Sequence, residues 1–200
     1  MSSPFEDFDD DDAADLIAEY PLAWVAAAPG DAGLASLLPL LAERDAGGHV
    51  VGLIGHMARR NPLFPALSAE PRALVLFQGP QGYISPGWVR DRTWGPTWNY
   101  AQLRIEAEVR FDPDGGDAAL AALVQAMEAG RDAPWRVDAL GSRYRPMEQA
   151  IIAFRARITA LRGRFKLGQD ERPEILADIL ARLPDPALAR WMRRFNKGRL

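Results

Sequence analysis

One stretch of strict alternation constrains the fold more than any other feature of this sequence. From Leu103 to Phe111, apolar residues occupy every odd position and charged residues every even position. Successive side chains of a β-strand point to opposite faces, so the stretch predicts a strand with one buried and one solvated face. The alternation returns between Ala150 and Leu161. Because one face of each segment is solvated, the pair favours an antiparallel sheet.

Short apolar runs bounded by glycine and proline predict further strands. These predicted strands are 22–28, 33–41, 50–56, 73–78 and 82–85. The sequences Pro29-Gly30-Asp31 and Asp45-Ala46-Gly47-Gly48 divide the first three runs, which is typical of consecutive hairpins. We interpret Gly79-Pro80 and Ser85-Pro86-Gly87 as turns, because proline fixes φ and glycine accepts a positive φ.

Helical periodicity appears at both ends of the sequence and between the two long strands. Aspartates 9–12 precede the first helical stretch, where acids suit the positive end of the helix dipole. The predicted helices are 13–20, 117–129, about 172–183 and 186–195, with a turn or short helix at 61–70. The pattern predicts a mainly β (α+β) fold, an antiparallel barrel with peripheral helices. We expect one domain over 1–200, with a helical lead-in at 1–20 and a C-terminal helical extension at 171–200.

Composition excludes several kinds of chemistry. The 200 residues include no cysteine and two histidines, which excludes thiol nucleophiles and thiolate metal sites and predicts no metal centre. The net charge of −3 gives no global attraction to nucleic acid, so any DNA contact must be local. No signal peptide or apolar run of transmembrane length is evident, so we expect a cytoplasmic protein without membrane contact. No hydrolase, Walker or dinucleotide motif is recognisable, and we predict no catalytic residue.

Three windows rich in tryptophan, glycine and proline carry the most specific motifs. They are Gly55-His56-Met57-Ala58-Arg59-Arg60-Asn61-Pro62, the segment FQGPQGYISPGW at 77–88, and Pro96-Thr97-Trp98-Asn99-Tyr100. In order and spacing they resemble the GHxARxNP, FQGPxxYISPxWY and VPTWNY signatures of the PaiB family. Residues 4–8 and 163–170 are similar to the start and to a late segment of that family. The resemblance therefore extends over nearly the whole chain.

The resemblance implies a split barrel that pairs as a homodimer, binds FMN in grooves built by both subunits, and acts as a negative transcriptional regulator. The phosphate of FMN, or of another phosphorylated planar molecule, requires cations and hydrogen-bond donors, and its ring requires a flat apolar wall. Arg59 can supply the first need, and we prefer it to its neighbour Arg60 because it matches the motif. The candidate cofactor-binding residues are Ser36, His56, Arg59, Asn61, Gln78, Tyr83, Ser85, Trp88, Thr97, Trp98 and Asn99.

Two other functions remain open from the residues themselves. The family places a histidine in an A-T-H-L-P-F segment, where this chain reads Ala35-Ser36-Leu37-Leu38-Pro39-Leu40. Because leucine cannot replace an imidazole, a barrel without cofactor that binds a partner or a small molecule is one alternative. A flavin-dependent oxidoreductase using NAD(P)H is the other, since a flavin itself transfers the electrons. His56 and the aromatic residues also have structural interpretations, in a strand end, a core or a subunit interface.

The C-terminal helix carries the one basic cluster of the sequence. Its cations are Arg182, Arg190, Arg193, Arg194, Lys197 and Arg199, and its apolar residues Leu188, Trp191, Met192 and Phe195 share one side. This pattern predicts an amphipathic helix docked on the barrel or on a partner, with a solvated cationic face. Contact with DNA is the alternative, although no DNA-reading module is evident.

Overall fold

The computed structural model describes residues 3–27 and 34–200. Its strands are β1 (Leu22–Ala27), β2 (Ala35–Arg44), β3 (Val50–Ala58), β4 (Arg72–Ile84), β5 (Thr97–Asp112) and β6 (Ile151–Lys166). Its α-helices are α1 (Asp10–Glu19), α2 (Leu63–Ala69), α3 (Gly116–Glu128), α4 (Tyr144–Gln149), α5 (Pro173–Arg182) and α6 (Pro186–Phe195). The strands form a closed antiparallel barrel in the order β1-β2-β3-β6-β5-β4. The predicted antiparallel barrel with peripheral helices is confirmed.

Strand β5 carries the alternation from which the fold was predicted. Its odd residues from Asn99 to Val109 are buried, whereas the residues between them are exposed or half-buried. The strand begins at Thr97, six residues before the predicted start. The early part was missed because Trp98 and Tyr100 are aromatic residues on the outer side, so hydrophobicity does not alternate there even though burial does.

Strand β1 closes the barrel by pairing with two neighbours. Trp24 lies opposite Leu37 of β2 on one side and opposite Leu76 of β4 on the other. The predicted turn between β2 and β3 is confirmed, since the Gly48 backbone N–H donates to the Asp45 carbonyl at 3.0 Å. The predicted turn at 29–31, together with the predicted strand ends Ala28 and Gly33, lies outside the described residues.

The predicted turn at Gly79-Pro80 is wrong, because β4 runs through both residues without a break. Gly79 and Pro80 are both buried, and the buried residues are odd-numbered before them and even-numbered at Ile84. Such a change of phase is characteristic of a β-bulge, where a proline without an N–H is tolerated. The predicted turn after β4 is confirmed as a short 3-10 helix at Pro86–Trp88.

The late helices lie close to their predicted positions. Helix α6 begins after Asp185, whose carboxylate accepts the backbone N–H groups of Ala187 at 2.8 Å and Leu188 at 3.1 Å. This N-cap, followed by a proline at the first helical position, was visible in the sequence. Neither α4 nor the 3-10 helix Val137–Arg143 before it was predicted. A glycine and a proline inside this region hide its helical pattern.

The chain contains two compact units. Unit 1 comprises Met1–Asp9, Gln78–Leu103 and Arg162–Leu200, and unit 2 comprises Asp10–Phe77 and Arg104–Leu161. In unit 1 the Phe165 ring packs against Phe8, Trp191 and Phe195, with ring centroids 5.1, 5.9 and 4.8 Å apart. In unit 2 the Phe111 ring meets Phe64 at 4.7 Å and Phe154 at 6.1 Å. None of the described helices has the length and apolar character needed to cross a membrane.

Candidate functional site

Ser36 and Asn61 form a polar pair within unit 2. Ser36 lies at the start of β2 and Asn61 follows the end of β3, yet the Asn61 Nδ2 donates to Ser36 Oγ at 3.0 Å. The Asn61 Oδ1 also accepts the backbone N–H of Leu63 at 3.0 Å, which fixes the side chain where α2 begins. The structure therefore brings together two predicted site residues that are far apart in the sequence, in a fixed orientation.

His56 is a half-buried residue of β3 that lies opposite Ala153 of β6. Its Nδ1 atom is enclosed and has no hydrogen-bond partner among the residues that the structure describes. Burial lowers the pKa of the imidazole, so the ring is neutral at physiological pH. A buried polar atom without a partner costs free energy, which a ligand or a water molecule can recover by hydrogen bonding.

Arg59 ties the end of β3 to two other segments of unit 2. Its Nε donates to the Gln149 carbonyl at 3.0 Å, and its NH2 donates to the Pro113 carbonyl at 3.4 Å. The Arg59 backbone N–H adds a bond to the Ala150 carbonyl at 2.9 Å. A guanidinium has five N–H donors, so these contacts use part of its capacity. A phosphate contact by Arg59 stays a prediction.

Tyr83 and Trp98 form an exposed aromatic pair in unit 1. Their ring centroids are 5.8 Å apart at an interplanar angle of 63°, an edge-to-face arrangement. The Tyr83 residue is 46% exposed and Trp98 is 55% exposed. Aromatic side chains of this size are usually buried, so an exposed pair offers a flat apolar wall to a ligand or a partner.

The residues on either side of Trp98 differ sharply in their surroundings. Thr97 is half-buried, and its Oγ1 accepts a hydrogen bond from the ammonium of Lys166. Asn99 is 2% exposed, and its Nδ2 donates to the Met192 sulfur at 3.5 Å. Because neighbours in a strand face opposite ways, the Asn99 amide points away from the Trp98 ring.

The other predicted residues of unit 1 lie near the end of β4. Ser85 Oγ accepts the Gly87 backbone N–H at 3.2 Å and so begins the 3-10 helix. Trp88 is half-buried in that helix, and its carbonyl accepts a hydrogen bond from Arg182. Gln78 is exposed on β4. Ser85 therefore has a structural role, and ligand contacts of all three residues stay predictions.

Lys166 is a candidate that the sequence reasoning missed. Its Nζ donates to Thr97 Oγ1 and also to the Trp98 carbonyl at 3.2 Å, so it contacts two predicted site residues. The sequence signal for Lys166 is its place in the 163–170 segment, which resembles the family.

Leu37, which stands where the family has histidine, lies on an exposed apolar row of unit 2. It is 48% exposed, and its β1 partner Trp24 is 53% exposed. Leu76, on the opposite side of Trp24, and Leu22 in β1 are exposed as well. We call Leu22, Trp24, Leu37 and Leu76 the apolar row. The substitution of histidine by leucine thus extends an apolar surface.

The predicted docking of the C-terminal helix by its apolar side is confirmed within unit 1. Leu188, Trp191 and Met192 are buried in α6. Arg199 donates to the Gly168 carbonyl at 3.3 Å, and Arg182 donates to the Trp88 carbonyl, so both are engaged within the fold. Arg190, Arg193, Arg194 and Lys197 are exposed as well, and the Arg194 guanidinium lies over the Trp191 ring at 5.1 Å from its centroid.

A cavity of about 610 Å³ lies elsewhere in unit 2. Helix α3 and the following segment line it, with Val124, Glu128, Trp135 and Val137 among the lining residues. The Glu128 carboxylate accepts the Trp135 backbone N–H at 3.0 Å, which fixes this wall. None of the predicted cofactor-binding residues lines the cavity.

Comparison with known proteins gives two relatives in sequence. The chain is 28% identical to Protease synthase and sporulation protein PAI 2 of Bacillus subtilis over 133 residues, which are 66% of this chain and 64% of that protein. It is 34% identical to the Saccharomyces cerevisiae protein YKL070W over 88 residues, which are 42% of this chain and 51% of the yeast protein. The matches therefore span less than two thirds of either relative.

Solved structures share the fold at low identity. The FAD and heme binding protein from Mycobacterium smegmatis matches with a TM-score of 0.59 and 20% identity, covering 79% of this chain and 71% of that one. The flavocytochrome Anf3 from Azotobacter vinelandii matches with a TM-score of 0.60 and 14% identity, covering 81% and 69%. Identities this low support the split-barrel architecture alone.

A family model covers most of the chain. The family described as "Putative FMN-binding domain" matches residues 1–160. The resemblance to the PaiB family is confirmed by this match together with the Bacillus relative. This chain is therefore a split-barrel member of the FMN-binding domain family to which the PaiB-like proteins belong.

Proposed function

We propose that this protein binds FMN through His56 together with the Ser36–Asn61 pair. The observation that carries the proposal is the enclosed Nδ1 of His56, which has no partner within the described ranges 3–27 and 34–200. A neutral imidazole nitrogen can donate or accept one hydrogen bond, and the polar edge of a flavin ring offers both kinds of partner. The free energy lost by burying that nitrogen is recovered when the ligand binds.

The polar pair supports the same proposal. The Asn61 side chain is held by its hydrogen bonds with Ser36 and with the Leu63 backbone N–H, and the Ser36 hydroxyl donates to Asn61 Oδ1 at 3.2 Å, so both side chains are oriented. Groups that are fixed before binding lose little conformational entropy when the ligand arrives.

The variant His56→Phe tests the proposal because it removes both ring nitrogens and keeps an aromatic ring. We expect FMN affinity to fall by about tenfold, the usual loss for one hydrogen bond that desolvation has strengthened. The melting temperature should stay equal or rise, since an unpartnered buried nitrogen is replaced by carbon. Fluorescence titration with FMN and thermal unfolding give the two readouts.

His49→Phe is the matched control for this experiment. His49 is exposed, and its Nδ1 pairs with Asp10 at 2.8 Å, so FMN affinity should not change. A purely structural His56 would show the reverse pattern, with lower stability and unchanged FMN affinity in His56→Phe.

We propose in addition that two copies of the chain pair through the apolar row. Trp24 and Leu37 are each about half exposed and lie opposite one another on neighbouring strands. Contiguous apolar surface on a sheet favours burial against a partner, and a two-fold axis lets one patch cover its own copy. A groove between subunits would place the flavin in a water-poor setting, as the family resemblance implies.

We also propose that the protein acts in gene control and is located in the cytoplasm. Arg190, Arg193 and Arg194 of α6, with Lys197 just after it, are the candidate contacts with DNA. A salt-dependent mobility shift that persists after Arg190, Arg193 and Arg194 are all changed to glutamine would argue against them. Oxidation of NAD(P)H by the FMN-loaded protein would instead favour the oxidoreductase.

A further inference from the structure

Helix α3 is only partly covered by the rest of unit 2. Its buried residues, Gly116 and Ala119, lie in its first half. In its second half Val124 is half-buried and Met127 is 38% exposed, although both side chains are apolar. The second half of α3 therefore has apolar surface that the protein does not bury, and the cavity of about 610 Å³ lies along it.

Apolar groups form most of the cavity wall. Pro134, Trp135 and Val137, from the segment after α3, line the cavity together with Val124. Trp135 is 43% exposed, and its indole adds a flat surface to the wall. The Glu128 carboxylate fixes this wall, since it accepts the Trp135 backbone N–H at 3.0 Å. A concave, mainly apolar wall is typical of small-molecule sites, whose volumes are about 300–1,000 Å³.

The charged groups that line the cavity balance one another. The Arg131 Nε lies 3.4 Å from Glu128 Oε2, and the Arg136 Nε lies 3.7 Å from Asp138 Oδ1. Two cations and two carboxylates therefore leave the lining without net charge. An ionic ligand would lose its hydration without meeting an unpaired opposite charge, so the cavity favours a neutral ligand.

Glu128 offers one directional contact to such a ligand. Its interactions with the Trp135 N–H and with Arg131 both use Oε2, so Oε1 accepts no hydrogen bond within residues 3–27 and 34–200. The side chain is 23% exposed, so the carboxylate is partly withdrawn from water. A ligand with an N–H or O–H group can donate to Oε1, and a hydrogen bond to a carboxylate is stronger than one between neutral groups.

We propose that this cavity is a small-molecule site, distinct from the proposed flavin site, for a neutral, flat aromatic ligand with an N–H or O–H donor. The aromatic ring packs on the Trp135 indole and against Val124, and the donor bonds to Glu128 Oε1. All the residues that line the cavity belong to unit 2, and none is a predicted cofactor-binding residue. The site therefore does not depend on flavin binding.

The test titrates the protein with N-phenylnaphthylamine, a neutral aromatic amine with one N–H whose fluorescence rises in apolar surroundings. We expect a saturable rise for the wild-type protein. Trp135→Ala removes the flat wall and Ala121→Phe fills the cavity, so each should lower the affinity by about tenfold. Met127→Ala is the matched control, because Met127 is an exposed apolar residue of the same helix that does not line the cavity. It should bind the probe as the wild-type protein does.

Two changes to the probe test the chemistry of the site without altering the protein. Methylation of its nitrogen removes the donor and should weaken binding by about tenfold. Anilinonaphthalenesulfonate, the same molecule with a sulfonate group, should also bind more weakly, because the lining has no unpaired cation for it.

Four results would overturn the inference. They are wild-type affinity in both Trp135→Ala and Ala121→Phe, equal binding of the methylated probe, tighter binding of the sulfonated probe, and competitive displacement of the probe by FMN. None of these measurements requires the protein to bind FMN, except that competition by FMN would place the flavin in this cavity. A failure of the proposed function, seen as no FMN binding at all, is therefore distinguishable from a failure of this inference.

Discussion

At the scale of single residues, His56 is a half-buried histidine with an enclosed ring nitrogen that makes no hydrogen bond to the described residues. A histidine at a strand end was predictable as either a structural residue or a ligand, and the sequence could not separate the two. The enclosed Nδ1 without a partner in the described chain favours the ligand interpretation. Burial depends on which elements pack around β3, so no local pattern could reveal it.

His56 also predicts a pH dependence of stability. Its pKa lies below the ordinary value of 6.5 because burial disfavours the charged ring. The unfolded chain therefore binds the proton more readily, so the free energy of unfolding is full above about pH 6.5 and falls as the pH drops towards the folded pKa. Urea unfolding between pH 8 and pH 5.5 should show this decline in the wild-type protein and a weaker one in His56→Phe.

The pKa of His49 is shifted in the opposite direction to that of His56, so the two histidines should affect the pH dependence of stability in opposite ways. Its hydrogen bond to Asp10 raises its pKa, so its contribution is present below pH 6.5 and is lost as the pH rises through the folded pKa. His49→Gln should therefore make the acid-side decline steeper. Equal pH profiles for His56→Phe and the wild-type protein would contradict the assignment.

At the scale of elements, strand pairing accounts for both the successes and the failures of the sequence prediction. The alternation in β5 and β6 was legible because each strand has one apolar and one charged face. The Gly79-Pro80 pair predicted a turn by local chemistry, yet neighbouring strands keep β4 extended through it. Helix α4 was missed because it is short and has a proline, Pro146, inside it, which is a local signal against a helix.

Gly55 in β3 leaves no room for a larger side chain. A Cβ atom there would lie 2.5 Å from Leu40 Cδ2 and 2.9 Å from Phe154 Cζ, so β2 and β6 approach it too closely for a side chain. Gly55→Ala should lower the free energy of unfolding by about 1–3 kcal/mol, the usual cost of overpacking. Gly95→Ala, where nothing lies within 4 Å, should change it by about 0.5 kcal/mol or less. Urea denaturation measures both, and equal effects would contradict the close approach.

At the scale of the whole molecule, the barrel was predictable from the sequence, but the arrangement of apolar and charged residues on its surface was not. Motif order and strand count were sufficient for the fold class, whereas the apolar row and the position of Lys166 depend on pairing across strands. The candidate residues were found by resemblance, but the sequence could not show that Asn99 is buried. A single domain over 1–200 stays a prediction beside the two compact units.

The proposed homodimer forms through the apolar row, so a charge placed in that row should prevent pairing. Trp24→Glu places a charge in the centre of the apolar row, and the wild-type residue is 53% exposed, so the fold should tolerate the change. Light scattering after size exclusion should give a dimer for the wild-type protein and a monomer for Trp24→Glu. Trp135→Glu, at an exposed tryptophan away from the row, should remain dimeric. A wild-type monomer would contradict the pairing.

Flavin binding is the claim on which the rest depends, and its most direct test is titration of the purified wild-type protein with FMN, followed by flavin fluorescence and by absorbance after gel filtration. If the protein binds FMN, the fluorescence is quenched to saturation at one FMN per chain, and flavin absorbance elutes with the protein. Unchanged fluorescence at every protein concentration, with no absorbance in the protein peak, would contradict it.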